Sequence, residues 1–186
     1  AILAACDKFE TETFTMTVSD NALVSHIDVS CSTGELNVSR NAQLNGTVSV
    51  TSKMYVNASN SAQVSLTQNG GNAFVSQANS AYIDFKATLN TLEVESTGGS
   101  ESHISGTASL LKVTGSGLSR VDAELLESKD GDVVLSGSAK CHVNVTDHLK
   151  VNLVGGSMLT FKRTPVFEID RVVNSTLIKA DDAKRK

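Results

Sequence analysis

Hydrophobic and polar residues alternate along most of the chain in short segments. Residues 64–66, 83–85 and 143–145 each present an apolar, a polar and an apolar residue in turn. This period of two is typical of a β-strand with one buried face, and no part of the chain sustains the 3.6-residue apolar period of a helix. The pattern therefore predicts an all-β protein.

The strand segments follow pairs of small polar residues, and these pairs recur at a nearly constant interval. They begin at residues 21, 41, 60, 79, 99, 116, 137, 156 and 174, so that successive pairs lie 20, 19, 19, 20, 17, 21, 19 and 18 residues apart. In a β-helix, equivalent positions of successive coils stack, with Gly, Asn and Ser at the corners. A sandwich of hairpins gives no reason for such a repeat. We therefore predict a single-domain, right-handed parallel β-helix with about 19 residues per coil.

The two ends of the chain are predicted to lie outside the repeat. Ile2-Leu3-Ala4-Ala5-Cys6 resembles the lipobox of bacterial lipoproteins, in which small residues precede the cysteine that carries the lipid. We interpret residues 1–5 as the end of a cleaved signal peptide and residues 6–13 as lipidated Cys6 with its tether. The lipid would hold the protein on a membrane surface without spanning the membrane. The β-helix is predicted over residues 14–180, and residues 181–186 form a charged tail.

The composition argues against nucleic acid as a partner. Lys and Arg total 16 against 20 Asp and Glu, and only 19% of the residues are charged, so the chain lacks the concentrated positive charge that a phosphate backbone requires. Trp is absent and aromatic residues make up 4%, which is a poor composition for stacking on bases or sugars.

The remaining cysteines are predicted to be free thiols. Cys31 and Cys141 lie six coils apart in the repeat, and at about 4.8 Å per coil they would be separated by about 29 Å. A disulfide requires Cα atoms within about 7 Å. We expect both residues to be buried as small apolar packing groups.

The chain shows no recognised metal-binding motif. None of the four histidines, His26, His103, His142 and His148, has the spacing to cysteine, histidine or aspartate of a known site, so we interpret them as solvent-facing polar residues. Asp130-Gly131-Asp132 lacks the further acidic ligands of a calcium loop and is interpreted as a turn. We predict neither a metal site nor a cofactor.

The repeat register predicts one buried and one outward column of stacked residues. The buried column is expected to contain Val64, Ile83, Ile104, Val121 and Val143. The outward column, our candidate for a binding surface, is expected to contain Ser65, Asp84, Ser105, Asp122 and Asn144. Its two aspartates would lie two coils apart, about 10 Å from each other. Glycan-active β-helices need clustered carboxylates or basic arrays and long loops, so we predict a protein that is not an enzyme.

The corner phrases of the C-terminal half carry a family resemblance. They are Val113-Thr114-Gly115-Ser116-Gly117, Leu135-Ser136-Gly137-Ser138-Ala139 and the segment of residues 156–165. These residues resemble the head GIN domain family, whose members repeat such a phrase before each strand and are described as auto-transporter adhesins. The family closes with an aromatic residue, a glycine and a proline. Phe161 and Pro165 match this ending, whereas Arg163 and Thr164 stand where the glycine is usual.

The resemblance covers residues 14–180 and has implications for fold and location. It implies a β-helix in a cell-envelope lipoprotein of a Gram-negative bacterium, anchored at the outer membrane or cell surface. The implied role is that of an adhesin or scaffold with an unknown surface ligand, either glycan or protein. The alternative is a glycan-binding or glycan-active protein of the lyase or hydrolase type, which a pocket with converging carboxylates would favour.

We further expect a monomer, because both ends of the predicted solenoid are protected against strand addition. Pro165 and the charged tail of residues 181–186 would discourage pairing at the C-terminal end. Residues 14–18 alternate like a strand and are expected to cover the first coil.

Overall fold

The computed structural model describes residues 8–180 and the backbone of residues 2 and 3. These residues form β-strands joined by short turns, with no helix among them. The strands are β1 (Ile2–Leu3), β2 (Phe9–Val18), β3 (Leu23–Ser39), β4 (Gln43–Ser59), β5 (Gln63–Asn69), β6 (Asn72–Ala78), β7 (Tyr82–Ser96), β8 (Glu101–Gly115), β9 (Arg120–Leu135), β10 (Lys140–Val154), β11 (Met158–Lys162), β12 (Val166–Val173) and β13 (Thr176–Lys179).

The strands form a parallel β-solenoid of about nine turns spaced by about 19 residues, which confirms the predicted architecture. Within the solenoid, strands pair in parallel with those one coil earlier and one coil later, as β8 does with β7 and β9. Several strands, such as β4 and β7, bend around most of a coil before the chain turns. No helix of the described residues is long and apolar enough to cross a membrane.

The small polar pairs lie at the coil corners, where the backbone takes positive φ. Asn60 and Ser61 have φ of 53° and 65° in an early coil, and Gly117 and Gly137 have φ of 71° and 68° in later ones. A Cβ atom on Gly137 would lie 3.1 Å from the backbone of Gly117 in the coil below, so the later corners stack too closely for a side chain. In the early coils, the Asn79 amide instead donates a hydrogen bond to Asn60 Oδ1 at 2.6 Å.

The buried column differs from the predicted one in its register. All five predicted residues are buried, but only Val64, Ile83 and Val121 share a column, which Ser102 and Cys141 complete. Ile104 and Val143 belong to the column two residues further along the strands. The prediction of a single column was wrong for these two residues because a shift of two residues keeps a side chain on the same face, so alternation cannot detect it.

The prediction of two free, buried cysteines is confirmed, whereas the prediction of a turn at Asp130-Gly131-Asp132 is wrong. Cys31 and Cys141 are both free and buried. Burial raises the pKa of the Cys141 thiol far above its ordinary value, so the neutral thiol is favoured. Asp130 and Asp132 lie within β9, where they pair with β8 and β10, rather than in a turn.

Paired strands begin before residue 14, the predicted start of the β-helix. β2 starts at Phe9, inside the segment interpreted as a tether, and pairs with β3. β1 lies in the segment interpreted as the end of a signal peptide and pairs with Leu23 and Val24. Cys6 and the charged tail of residues 181–186 lie outside the described residues, so their roles stay predictions.

Candidate functional site

The outward surface carries a column in which carboxylates alternate with imidazoles. The parallel register places Ser65 beside Asp84, Asp84 beside His103, His103 beside Asp122, and Asp122 beside His142. We call the column of Asp84, His103, Asp122 and His142 the histidine ladder. Neighbouring positions in a parallel sheet are about 4.8 Å apart, so each acidic group has an imidazole as its neighbour in the stack.

Three of the five predicted outward residues occupy the position of the histidine ladder, and two do not. Ser65, Asp84 and Asp122 share it. Ser105 pairs with Lys86 and Leu125, and Asn144 pairs with Glu127 and Lys162, so both lie two residues further along the strands. The places predicted for Ser105 and Asn144 are taken by His103 and His142. The cause is the same two-residue ambiguity that affects the buried column.

A bulge in β9 shapes the surface next to the ladder. Ala123 pairs with Val143 of β10, and the next residue in register is Glu127, so residues 124–126 form an insertion in β9 relative to β10. Bulges of this kind redirect side chains away from the regular sheet surface. Leu125 is 71% exposed, whereas Leu126 is fully buried. The bulge therefore adds Glu124 and an exposed apolar side chain to the region around Asp122.

Asp122 lies at the centre of this region. Its Oδ1 accepts a hydrogen bond from the Glu124 backbone N–H at 3.2 Å. Nδ1 of His142 lies 4.0 Å from Oδ1, and Nδ1 of His103 lies 4.0 Å from Oδ2. Both distances exceed the range of a hydrogen bond. The side chain of Asp122 is only 22% exposed, so its carboxylate is half-buried between two imidazoles that approach it without a direct hydrogen bond.

Further ion pairs lie on both sides of Asp122. His103 Nε2 lies 3.3 Å from Glu101 Oε1, and Arg120 Nε lies 3.7 Å from the same oxygen. On the opposite side, Lys162 Nζ lies 2.7 Å from Glu124 Oε1. The site thus contains side chains of both signs of charge.

Tyr82 forms an aromatic border of the site. Its ring lies 5.6 Å from the His103 ring, measured between centroids and tilted by 45°. Burial raises the pKa of the Tyr82 hydroxyl, and the carboxylates of Asp84 and Glu101 add to the shift. The hydroxyl therefore stays protonated at neutral pH and can donate a hydrogen bond while the ring offers apolar surface.

These side chains line an open groove of about 330 Å³. The groove contains Tyr82, Asp84, His103, Ser105, Asp122, Glu124 and Leu125. A second groove of about 320 Å³ continues from it across the earlier coils, past Ser65, Asn45 and Leu23. Tyr82 and Asp84 line both grooves, so the two form one continuous surface along the solenoid.

Sequence reasoning missed His103, His142, Tyr82 and Glu124 as members of this surface. The first two could have been found by counting one coil back and one coil forward from Asp122, since the paired residues lie 19 and 20 positions away. Glu124 joins the site through the bulge, which leaves no mark in the alternation of polar and apolar residues.

The chain that forms this site matches a known protein family. A family model described as "Putative auto-transporter adhesin, head GIN domain" matches residues 11–165, which is most of the chain. The chain belongs to the head GIN domain family. None of the curated proteins and none of the solved structures compared with the chain matches it. The matched residues include the whole histidine ladder and the bulge of this head GIN domain.

A second charged column of the head GIN domain offers an internal reference. Glu93 pairs with Lys112, Lys112 with Asp132, Asp132 with Lys150 and Lys150 with Glu168. We call these five residues the lysine ladder. It uses the same strands as the histidine ladder over most of its length and also alternates acid and base. It is therefore a matched control surface for tests of the histidine ladder.

Proposed function

We propose that the protein is a non-enzymatic surface-binding module, an adhesin or scaffold of the cell envelope, that holds its ligand in the groove along the histidine ladder. Membership of a family described as adhesins supports this role. The observation that carries the proposal is the continuous surface shared by the two grooves, which presents Ser65, Asp84, His103 and Asp122 in one row.

The groove has the chemistry for a polar, extended ligand. The carboxylates of Asp84 and Asp122 accept hydrogen bonds from hydroxyl or amide groups, and the imidazoles can donate or accept. Tyr82 and Leu125 are 40% and 71% exposed and give apolar contact on either side of the polar row. Small sets of convergent polar groups beside apolar side chains are typical of ligand sites. A glycan or an extended segment of a surface protein fits this arrangement.

The binding function is tested with an array of glycans and matrix proteins. The full chain carrying Cys6→Ser should bind at least one glycan or matrix protein of the array reproducibly. The double variant Asp84→Asn and Asp122→Asn should lose that ligand, because it keeps the size of both side chains and removes two acceptors of charge-assisted hydrogen bonds. Asp132→Asn in the lysine ladder is the matched control and should keep the ligand. Equal retention by the double variant would contradict the proposal.

The anchor forms a separate part of the proposal. We propose that Cys6 carries a lipid that holds the protein at the envelope surface of a Gram-negative bacterium, and that the β-solenoid is monomeric. The lipobox-like residues 2–6 support the lipid. In cells, the wild-type precursor should partition with membranes and its Cys6→Ser variant should not. Equal partitioning of the two would contradict the anchor without affecting the binding test.

A glycan-active enzyme is the second candidate, favoured by one observation. The carboxylate oxygens of Asp122 and Glu124 lie within 4.8 Å of each other, close to the separation of the two carboxylates in retaining glycosidases, about 5 Å. Against this candidate, Lys162 Nζ lies 2.7 Å from Glu124 Oε1, so one of the two carboxylates is already paired with a cation. An enzyme is indicated if the protein releases products from the array glycans and the Asp122→Asn variant does not.

A further inference from the structure

Three side chains on two adjacent coils converge next to the groove. Nδ1 or Nε2 of His142 and one carboxylate oxygen each of Asp122 and Glu124 all lie within 4.8 Å of one another. We propose that Asp122, Glu124 and His142 bind a divalent transition-metal ion, with Zn²⁺ as the ion that the ligand set favours. This inference goes beyond surface binding, because it assigns an ion to the site whether or not a surface ligand is present.

The distances around Asp122 suit a shared ion better than direct pairing. Ligand atoms that bind one tetrahedral Zn²⁺ at about 2.0–2.2 Å lie about 3.3–3.6 Å from each other. His142 Nδ1 and Asp122 Oδ1 are 4.0 Å apart, which is beyond the limit of a hydrogen bond and only slightly outside that range, so a small side-chain rotation would bring both atoms to the ion. An ion between them would satisfy both atoms without a change of backbone.

The fold holds the ligands in place before any ion arrives. Asp122 and His142 are fixed opposite each other by the parallel register of β9 and β10. Glu124 is directed to the same point by the bulge, and its backbone N–H binds Asp122 Oδ1 at 3.2 Å. Preorganised ligands on strands lose little conformational entropy on binding, which favours affinity.

The surroundings of the ligands supply outer contacts. Nδ1 of His103 lies 4.0 Å from Asp122 Oδ2, on the other side of the carboxylate, and its Nε2 lies 3.3 Å from Glu101. An imidazole oriented by a carboxylate is a common arrangement around bound metals. His103 is therefore the next nitrogen available to the ion after His142.

The ligand set selects among metals. Mg²⁺ and Ca²⁺ prefer sites composed of oxygen atoms, whereas an imidazole combined with carboxylates suits Zn²⁺ and other transition metals. Three protein ligands leave a further position for water or for an oxygen atom of a ligand in the groove. The ion could then connect the cluster to whatever the adhesin binds.

Lys162 competes with the proposed ion for the carboxylate of Glu124. Its ammonium lies 2.7 Å from Glu124 Oε1 and partly neutralises that carboxylate. A cation that uses Glu124 must compete with this contact. Removing the ammonium should therefore strengthen metal binding, an effect in the opposite direction to the loss of a ligand.

The proposal is tested by calorimetric titration of ZnCl₂ into the metal-free full chain carrying Cys6→Ser, which removes a thiol that would itself bind zinc. We expect one Zn²⁺ per chain and weaker binding of Mg²⁺. Asp122→Asn and His142→Gln should each weaken Zn²⁺ binding by about tenfold or more. Lys162→Met should strengthen it. His148→Gln is the matched control, because His148 faces the carboxylate of Asp130 at 3.1 Å but lies outside the three-residue cluster.

Several results would overturn the proposal. They are no binding of Zn²⁺ by the parent protein, unchanged binding in Asp122→Asn or His142→Gln, and an equal loss in His148→Gln. Weaker or unchanged binding in Lys162→Met would exclude Glu124 as a ligand and so reject the three-residue site. Thermal unfolding of each variant, followed by circular dichroism, shows that a loss comes from the site rather than from misfolding. The titration contains no surface ligand, so its result is independent of the array experiment.

Discussion

The histidine ladder and the lysine ladder run along the same solenoid with the same alternation of acid and base, yet they are organised differently. In the lysine ladder, Lys150 contacts Glu168 at 2.8 Å and Asp170 at 3.3 Å. The hydrogen bond to Glu168, followed by the one to Asp170, raises the pKa of the Lys150 ammonium. In the histidine ladder, both imidazoles stay 4.0 Å from Asp122.

The difference shows which of two similar surfaces is suited to bind something else. A lysine is charged at neutral pH, and Lys150 pairs directly with the carboxylates of Glu168 and Asp170. The imidazoles of His103 and His142 lie too far from Asp122 for a hydrogen bond, which leaves its carboxylate able to accept a ligand or an ion. The bulge at residues 124–126 adds Glu124 and the exposed Leu125 to the histidine ladder, within the groove.

The largest effect is expected from breaking the buried column that supports the histidine ladder. Ile83 is fully buried directly before Asp84. Ile83→Asp should prevent folding, because an unpaired charge inside the stack costs several kcal/mol. Loss of the strand signal in circular dichroism would show this. Ser65→Asp adds the same charge one coil earlier on the outward face and should fold normally. Stable folding of Ile83→Asp would contradict the assigned inward and outward faces.

A glycine substitution tests the coil segment that joins the two ladders in β8. Gly106 has φ of 111°, and a Cβ atom there would collide with the carbonyl oxygen of Ala87. Gly106→Ala should lower the free energy of unfolding by at least about 2 kcal/mol in a urea titration. Gly99→Ala is the control, since its nearest contact would be 3.8 Å away, and it should change stability little. A similar effect of the two substitutions would argue against this close approach of coils.

Ser102 allows a finer test of the column beneath His103. Its hydroxyl is buried and has no hydrogen-bond partner among the described residues. Ser102→Ala should therefore raise the free energy of unfolding by about 1 kcal/mol. Ser100→Ala should lower it by a similar amount, because Ser100 Oγ donates to Thr97 O at 2.8 Å and lies 2.9 Å from Ser96 Oγ. Shifts of the same sign in both variants would contradict this assignment of partners.

The smallest effect is expected in the lysine ladder itself. Lys150→Met removes the contacts with Glu168 and Asp170, which are exposed and partly screened by water. The midpoint of thermal unfolding should fall slightly at low salt, and the difference should disappear in about 1 M sodium chloride. Binding of the array ligand and of Zn²⁺ should not change. A loss of either would remove the distinction between the two ladders.

Much of the fold could be predicted from the sequence because a solenoid repeats its chemistry. The small polar pairs mark the corners, and alternation identifies the buried faces of residues such as Val64 and Val121. The prediction failed where two candidate column positions lie two residues apart on the same face of a strand. Ile104 and Ser105 follow the column positions taken by Ser102 and His103, and nothing in the alternation distinguishes the two registers.

The candidate site was less predictable than the fold. Asp84 and Asp122 were identified as outward acidic residues, and the structure keeps them in one row. His142 and Glu124 join Asp122 only when the strand register and the bulge are known, because His142 lies one coil away and Glu124 lies in the bulge. Sites that depend on contacts between coils require the register, which composition and spacing leave undetermined.

The most direct test of the central claim, that the histidine ladder is the binding surface, is the affinity of the strongest array ligand for two matched variants. Asp122→Asn and Asp132→Asn make the same substitution on the outward face of β9, ten residues apart, one in each ladder. We predict that Asp122→Asn weakens binding by about tenfold or more, equivalent to about 1.4 kcal/mol, and that Asp132→Asn leaves it unchanged. Equal affinities of the two variants, or a larger loss in Asp132→Asn, would contradict the claim.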